Sequence, residues 1–305
     1  MPLPSSTLPA PRDFHGYGGS PPDVRWPGGA DLAVSFVVNI EEGAEFSVRA
    51  GDPRNEDTHE VRNLIQGAPD LCMESHFEYG ARAGYWRTMR AFEDAGIPVT
   101  LNACARALLA APWVAQRAVA RGDELCCHGW RWESHAGMDI ETERAVIRDC
   151  VATFTRLSGS PPVGWHTKSS ASVNTRRLLL EHGGFLYDSD AYDDDCPHYV
   201  PVDGRPHLVL PYGFDTNDMR FFVNHDLVLG SHFRDYALDA VHALLREGRD
   251  APRMLTIGLH TRIIGRPGRI GGLLELIEAL PRERIWFARR ADIARHWLAH
   301  CPPDR

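Results

Sequence analysis

The chain has 305 residues, 43% of them apolar, and its 33 basic and 41 acidic side chains give a formal net charge of −8. This length and apolar content suffice for one substantial core, so we predict one domain over residues 31–305 behind an N-terminal arm at residues 1–30. The chain lacks a basic run that could follow a phosphate backbone, which excludes nucleic acid as an expected partner.

The start of the chain and its cysteines predict a cytoplasmic protein without a membrane partner. The first nine residues, MPLPSSTLP, have neither the cationic start nor the apolar segment of a secretory signal, and no window reaches a membrane-spanning apolar length. Seven cysteines without a CxxC pair are typical of free thiols in a reducing compartment.

Regular structure is expected to begin after the Pro- and Gly-rich arm. Residues 32–38 form a nearly continuous apolar run, typical of a buried parallel strand. Further strands are predicted at 99–103, 124–127, 185–187, 208–212 and 253–259, and helices at 84–95, 112–121, 142–157 and 174–182. This alternation predicts an α/β fold, an irregular parallel (β/α) barrel with its site at the carboxyl ends of the strands, and a doubly wound open sheet is the alternative.

Polar clusters stand at the ends of the predicted strands, where a barrel would bring them to one mouth. They are Glu41-Glu42, His128, Trp165-His166-Thr167-Lys168, Asp188-Ser189-Asp190 and His260. Cys126 and Cys127 precede His128 and could suggest a nucleophile, but small buried strand residues are the favoured interpretation.

The order of these clusters resembles the polysaccharide deacetylase (NodB-like, carbohydrate esterase 4) superfamily over roughly residues 30–300. The first motif of that family, of the Thr-Phe-Asp-Asp-Gly type, is matched by Asn39-Ile40-Glu41-Glu42-Gly43. The second, a His-x-x-x-His pair, keeps His128 but has Trp132 at the second position. The third lacks its Arg in Pro162-Val163-Gly164-Trp165-His166, the fourth resembles Asp188-Ser189-Asp190, and the fifth is kept in Leu255–His260.

Within that superfamily the chain is most similar to the bacterial cofactor-independent allantoinases. The resemblance rests on stretches such as Gly183-Gly184-Phe185-Leu186-Tyr187, Asp215-Thr216-Asn217-Asp218-Met219 and Trp286-Phe287-Ala288-Arg289-Arg290. It implies ring-opening hydrolysis of a cyclic ureide amide without metal or cofactor, in a cytoplasmic homo-oligomer, expected to be a tetramer. The third loop departs from that family, with Gly164-Trp165-His166-Thr167-Lys168-Ser169 in place of Gly-Trp-Tyr-Thr-Gly-Arg, as does Ile40 in place of Tyr.

Amide hydrolysis requires an activated water, a stabilised oxyanion and a proton for the departing nitrogen. Glu41 or Glu42 is the expected general base, and adjacent residues of an extended chain point opposite ways, so one of them should face the site. His260 is expected to donate the proton to the nitrogen. His128 would bind the water or substrate, or hold Asp188 or Asp190, and Asp190 is included among the catalytic residues.

A second set of residues is predicted to hold the substrate. Arg262 offers a planar donor fork for a carbonyl or carboxylate, as do Arg131 and Arg266, while His166 and Lys168 would select the ring. Asn217 and Asp218 could bond a polar heterocycle or form a turn. The full predicted binding set is Asn39, Trp132, Trp165, His166, Lys168, Asn217 and Arg262.

Two other functions stay open at the level of the sequence. A zinc deacetylase for an N-acetyl sugar would use Glu42, His128 and a third ligand such as His166, Asp188 or His260. A binding module without catalysis would be expected to lose the acid and base as well, yet those residues persist.

Overall fold

The computed structural model describes residues 12–60, 63–223 and 226–303. Residues 1–11 of the predicted arm lie outside this part of the chain. The strands are β1 (Leu32–Ile40), β2 (Thr100–Ala103), β3 (Glu124–Cys127), β4 (Gly164–Trp165), β5 (Tyr187–Asp188), β6 (His198–Val202), β7 (Arg205–Val209), β8 (Met254–His260) and β9 (Ile285–Phe287). The helices are α1 (Leu71–Tyr79), α2 (Tyr85–Ala95), α3 (Ala105–Ala110), α4 (Pro112–Arg121), α5 (Ile140–Ser158), α6 (Thr175–His182), α7 (Gly230–Glu247), α8 (Pro267–Ala279) and α9 (Arg290–His300).

The strands form one curled sheet in the order β6-β7-β5-β4-β3-β2-β1-β8, and β9 pairs with the first residues of β1. All of these pairings are parallel except that of β6 with β7. Every residue of β1 is buried: β8 pairs with one edge of the strand and β2 and β9 with the other, and its side chains pack into both hydrophobic clusters of the core. The predicted irregular parallel (β/α) barrel is therefore confirmed, and the doubly wound open sheet is not the fold.

An antiparallel hairpin at one edge was missing from the sequence prediction. β6 and β7 are joined by Asp203 and Gly204, whose φ angles of 49° and 74° suit the primed turns of two-residue hairpins. The strand predicted at 208–212 consequently begins earlier, at Arg205, and ends at Val209. The Asp-Gly pair was the local signal for this turn.

The barrel is incompletely closed between β8 and the β5–β7 side. Hydrogen bonds to the segment at 210–217 span this gap, among them Gly258 N–H to the carbonyl of Thr216 at 3.0 Å and the Thr216 hydroxyl to the carbonyl of Thr256 at 2.6 Å. Arg290, at the start of α9, is fully buried and donates to Ser189, Thr256, Leu210 and Pro211 from inside the barrel. The Arg290 side chain thus links parts of the barrel whose strands do not pair with each other.

The described part of the N-terminal segment packs on the barrel. Val24 and Trp26 are buried in a cluster with Trp297, and the Trp26 indole N–H donates to the carbonyl of Arg253 at 2.8 Å. The Tyr17 hydroxyl donates to the carbonyl of Pro197 at 2.7 Å. Across the described residues, we find no helix with both the length and the apolarity to span a membrane.

Candidate active site

The carboxyl ends of the strands surround a cavity of about 380 Å³. Asn39 near the end of β1, His128 after β3, His166 after β4 and His260 at the end of β8 all line it. Parallel strands end at one edge of a sheet, so residues distant in sequence meet there. The structure brings these strand-end side chains together, as the sequence pattern predicts.

Glu41 occupies the centre of this arrangement and is 1% exposed. Its Oε1 lies 3.4 Å from Nε2 of His128 and 3.5 Å from Nε2 of His260, while its Oε2 accepts from Nη1 of Arg262 at 2.7 Å. Burial raises the pKa of Glu41, but Arg262 and the two histidines outweigh burial and hold it well below its ordinary value. Glu41 is therefore an ionised carboxylate between two imidazoles.

Glu42 points away from the cavity. Its Oε1 accepts from the Thr261 hydroxyl at 2.5 Å, and the carboxyl lies against Gly80, where a side chain would collide with it. Burial raises the pKa of Glu42. Of the two candidate bases, the structure presents Glu41 to the cavity, and the expectation of a catalytic Glu42 is corrected because that side chain packs behind the wall.

His260 is oriented by Asp218. Oδ1 of Asp218 accepts from Nδ1 of His260 at 2.7 Å, and Oδ2 accepts from the backbone N–H groups of His260 and Ile264 at 2.8 and 3.1 Å. Burial lowers the pKa of His260, but Glu41 and Asp218 outweigh it and raise it to about 10. His260 is thus an imidazolium whose Nε2–H faces Glu41.

His128 and His166 form a second pair, with ring centroids 5.1 Å apart. Nδ1 of His128 donates to the carbonyl oxygen of His166 at 2.5 Å, which turns Nε2 of His128 toward Glu41. Nδ1 of His166 accepts from Nδ2 of Asn102 at 2.9 Å, and its Nε2 lies 3.2 Å from the Tyr192 hydroxyl. Burial and the neighbouring His128 hold the pKa of His166 well below its ordinary value, so its ring is neutral.

Trp132 and Lys168 form another part of the wall. Nζ of Lys168 lies 3.4 Å from the centroid of the Trp132 ring and 3.5 Å from Oε1 of Glu56. Lys168 belongs to the loop after β4, which Asp190 supports by accepting from the backbone N–H of Thr167 at 2.8 Å. The Lys168 ammonium therefore makes a cation–π contact with the face of the Trp132 indole at the wall of the cavity.

The chain has close relatives among known proteins. Residues 67–184 match the family model described as polysaccharide deacetylase. A Schizosaccharomyces pombe protein named "Putative polysaccharide deacetylase" is 37% identical over 314 residues, covering 95% of this chain and 98% of the relative. The chain belongs to the polysaccharide deacetylase family.

Solved structures of the family agree with the fold. A "probable Polysaccharide deacetylase from Pseudomonas aeruginosa PAO1" and the PuuE allantoinase are both 45% identical to this deacetylase-family chain. Each comparison covers 97% of this chain and all of the solved one, with TM-scores of 0.92 and 0.93. A Mycobacterium smegmatis structure at 24% identity and a TM-score of 0.76 shares the fold.

The metal site implied by the family does not fit the residues of this deacetylase-family protein. Trp132 stands where the second histidine would be, and indole is not a zinc ligand. Glu41 and the two nearby histidines come close together, but the Arg262 guanidinium binds the other oxygen of Glu41 at 2.7 Å and so places a positive charge where a cation would have to lie. Within residues 12–60, 63–223 and 226–303, no group of three or more His, Cys, Asp or Glu is arranged to hold a metal.

Other predicted residues also lie away from the cavity. Trp165 is fully buried and packs edge-on against Phe185, so its expected contact with substrate is corrected to a core position. Asp190 is likewise corrected from a catalytic to a loop-supporting position; burial and the nearby Asp188 raise its pKa to about 7. Arg262, which was expected to bind substrate, is fully buried and donates to Glu41 and Glu60 instead.

The two further arginines considered for substrate binding have protein partners as well. Arg131 binds both oxygens of Asp52 at 2.7 Å, and Arg266 stacks on Tyr79 at 3.5 Å from the ring centroid. Cys126 and Cys127 are fully buried in β3 and do not line the cavity. The nucleophile interpretation of these thiols therefore has no structural support.

The predicted binding residues Asn39, Trp132, His166, Lys168 and Asn217 do reach the cavity. Sequence reasoning missed several other wall residues, namely Asp57, His59, Ser169, Tyr212, Phe214, Met219, Arg220 and Val223. Tyr212 is the last residue of the strand predicted at 208–212, and this strand-end position could have identified it. Asp57 and His59 come from a long loop after β1 with no regular pattern, and local sequence has no signal for where such a loop folds.

Proposed function

We propose that this protein hydrolyses a ring C–N bond of a cyclic amide, in the class of allantoin and related cyclic ureides and imides, without a metal ion. The observation that carries the proposal is the ionised Glu41 held between His128 and the protonated His260. The 45% identity to the PuuE allantoinase over 97% of the chain supports the ring-opening reaction. The cavity of about 380 Å³ is at the small end of ligand pockets, which suits a heterocycle.

In this mechanism Glu41 activates the water. Oε1 of Glu41 accepts one proton as the water oxygen bonds to the ring carbonyl carbon, and the carbonyl electron pair moves onto its oxygen. Arg262 holds the other carboxylate oxygen at 2.7 Å, so the carboxylate cannot turn away. His128 lies on the other side of Oε1 and its Nε2 can hold the same water.

His260 then completes the reaction. As the tetrahedral intermediate collapses and the C–N bond breaks, Nε2–H of His260 donates its proton to the departing nitrogen. Oε1 of Glu41 lies 3.5 Å from that Nε2, so the proton taken from water can return to His260. Both groups recover their starting states, and the net change is one water added across the C–N bond.

The test is turnover of allantoin, hydantoin, dihydrouracil and succinimide by protein shown by elemental analysis to hold no stoichiometric metal. We expect ring opening at a rate unaffected by chelator, and the preferred ring will define what the third loop selects. Loss of activity to a chelator, with recovery on zinc addition, would contradict the metal-independent part of the proposal. Deacetylation of an N-acetyl sugar without ring opening would contradict the substrate class.

The assembly and compartment expected from the resemblance are part of the same proposal. We infer a cytoplasmic homo-oligomer of four subunits. Light scattering on the purified protein measures the subunit number directly, and a monomer would contradict this part alone.

A further inference from the structure

Lys168 is the single lysine of this chain. Of the 33 basic side chains, 32 are arginine, and the one lysine lies on the wall of the candidate active-site cavity. Its side chain is 28% exposed, which leaves part of it open to the cavity. Among the described residues, arginine makes the other cation–π contacts, and arginine or histidine makes the other ion pairs, while the one lysine lies beside the proposed chemistry.

Two fixed partners orient the Lys168 ammonium. Trp132 lies beneath it, with Nζ 3.4 Å from the ring centroid, and Oε1 of Glu56 lies 3.5 Å from Nζ. Glu56 is itself buried, and its Oε2 accepts from the backbone N–H of Phe46 at 3.1 Å. An ammonium has three N–H donors, so these two partners leave a donor for a substrate oxygen.

The indole beneath this ammonium is the side chain that stands where the family has its second metal-binding histidine. A metal at such a site would supply positive charge to the scissile carbonyl oxygen. The residues of this site do not fit a metal. Lys168 nevertheless places a positive charge above the face of the Trp132 indole. Lys168 therefore brings a positive charge to the part of the wall that Trp132 forms.

We propose that Lys168 is a catalytic residue that stabilises the oxyanion formed during hydrolysis, which rests on the proposed ring-opening function. As the water oxygen bonds to the carbonyl carbon, the carbonyl electron pair moves onto the oxygen, and Nζ–H of Lys168 donates a hydrogen bond to it. The ammonium keeps its proton. The electron pair returns to the carbon when the C–N bond breaks and the nitrogen takes the proton of His260.

Lysine suits this position better than arginine. An ammonium is a compact point charge on a flexible stem, so it can sit over an indole and still direct one N–H at a single oxygen. A guanidinium would stack its plane on the ring and spread its charge over three nitrogens. Lys168→Arg is therefore expected to preserve the positive charge at this position but not the geometry of the hydrogen bond to the oxyanion.

The first experiment compares Lys168→Met and Lys168→Arg with the wild type on the best ring substrate. Loss of an oxyanion donor typically lowers kcat by about 10²–10³-fold, so we expect such a fall in Lys168→Met with a much smaller change in KM, and an intermediate fall in Lys168→Arg. Arg148→Met is the control, because Arg148 is exposed on α5 and pairs with Asp149 alone. A raised KM with unchanged kcat would overturn the proposal.

The single lysine permits a second experiment by chemical modification. Acetylation removes the charge of Lys168 and should lower kcat as much as Lys168→Met does, whereas amidination keeps the charge and N–H donors on a planar group and should lower kcat no more than Lys168→Arg does. Both reagents also modify the N-terminal amine, so the lysine-free Lys168→Arg protein is the control and should not respond to acetylation. Equal inactivation by both reagents would overturn the proposed role of charge.

Failure of this proposal can be told apart from failure of the proposed function. Ring opening with normal kcat in Lys168→Met contradicts the lysine role alone. If the wild type opens none of the rings and deacetylates an N-acetyl sugar, the ring-opening function is wrong. Lys168→Met and Lys168→Arg are then compared with the wild type on the amide bond of that sugar. The same loss of kcat is expected there, and an unchanged kcat overturns the lysine role. Turnover of neither kind of amide contradicts both.

Discussion

Glu41 combines two properties that usually oppose each other, since it is almost fully buried and yet ionised. Burial alone would favour the protonated acid, but the Arg262 guanidinium at 2.7 Å and two imidazoles at 3.4 and 3.5 Å favour the carboxylate. Its neighbour Glu42 accepts from the Thr261 hydroxyl at 2.5 Å and from the backbone N–H of Glu41 at 3.1 Å, and burial raises its pKa. The same residue type therefore has opposite pKa shifts at adjacent positions.

This difference makes Glu41→Gln and Glu42→Gln a matched pair of variants. We expect Glu41→Gln to lose about 10²–10⁴-fold in kcat, because an amide cannot take the proton of the water. Glu42→Gln should be far less affected, since Gln can still accept from Thr261. Steady-state kinetics on the preferred ring measure both, and the reverse order of effects would show that Glu42 is the base.

Asp218, together with Glu41, keeps His260 protonated and is predicted to help set the alkaline limit of activity. The acid form of His260 is the active one, so kcat should fall as the pH rises through its pKa of about 10. Asp218→Asn removes one of the two carboxylates that raise this pKa, so the fall should move to lower pH. A kcat–pH profile measures the shift, with Asp235→Asn on the surface as the control. An unchanged profile would contradict the pairing.

At the scale of elements, a π-helical turn at Gly80–Gly84 between α1 and α2 packs against the site. Gly80 makes room for the Glu42 carboxyl, and Gly84 lies against the carbonyl of Thr261, the residue after His260. Glycine is needed at both positions because a backbone or buried carboxyl occupies the space of a Cβ. The turn thus supports the loop that follows the proposed acid at the end of β8.

Gly84→Ala is therefore expected to destabilise the fold and to impair catalysis. The added methyl would collide with the Thr261 backbone, and overpacking of this kind typically costs about 1–3 kcal/mol. Gly268→Ala in α8 is the control, since nothing lies within 4 Å of the added carbon and the change should be neutral or slightly stabilising. Urea unfolding gives both values. Equal stability of the two variants would contradict the close packing.

At the scale of the whole molecule, the barrel depends on Arg290 where its strands do not pair. The guanidinium donates to the hydroxyls of Ser189 and Thr256 and to the carbonyls of Leu210 and Pro211. These groups belong to both sides of the gap, so one buried side chain substitutes for a missing strand ladder. Closure in turn holds β8 and its His260 against the rest of the cavity.

Loss of this link should be costly. Arg290→Met leaves buried carbonyl and hydroxyl groups without their donor, and we expect a loss of about 3–5 kcal/mol in the free energy of unfolding. Arg289→Met is the neighbouring control: Arg289 is a third exposed and pairs with Asp292, and exposed pairs contribute up to about 1 kcal/mol. Similar losses in the two variants would show that Arg290 does not close the barrel.

The sequence by itself determined the alternation of strands and helices and the polar residues at the carboxyl ends of β1, β3, β4 and β8, because burial patterns and turn residues act over a few neighbours. It also showed Trp132 in place of a metal-binding histidine. These local features predicted the barrel and most of the residues at its mouth.

Only the tertiary structure decided which groups have partners. It turned Glu41 rather than Glu42 to the cavity, gave Arg262 to Glu41 rather than to substrate, paired His260 with Asp218, and placed Lys168 over Trp132. Each of these pairs joins segments far apart in the chain. Their distances depend on how the helices and loops pack around the barrel, a property of the whole fold that no local pattern contains.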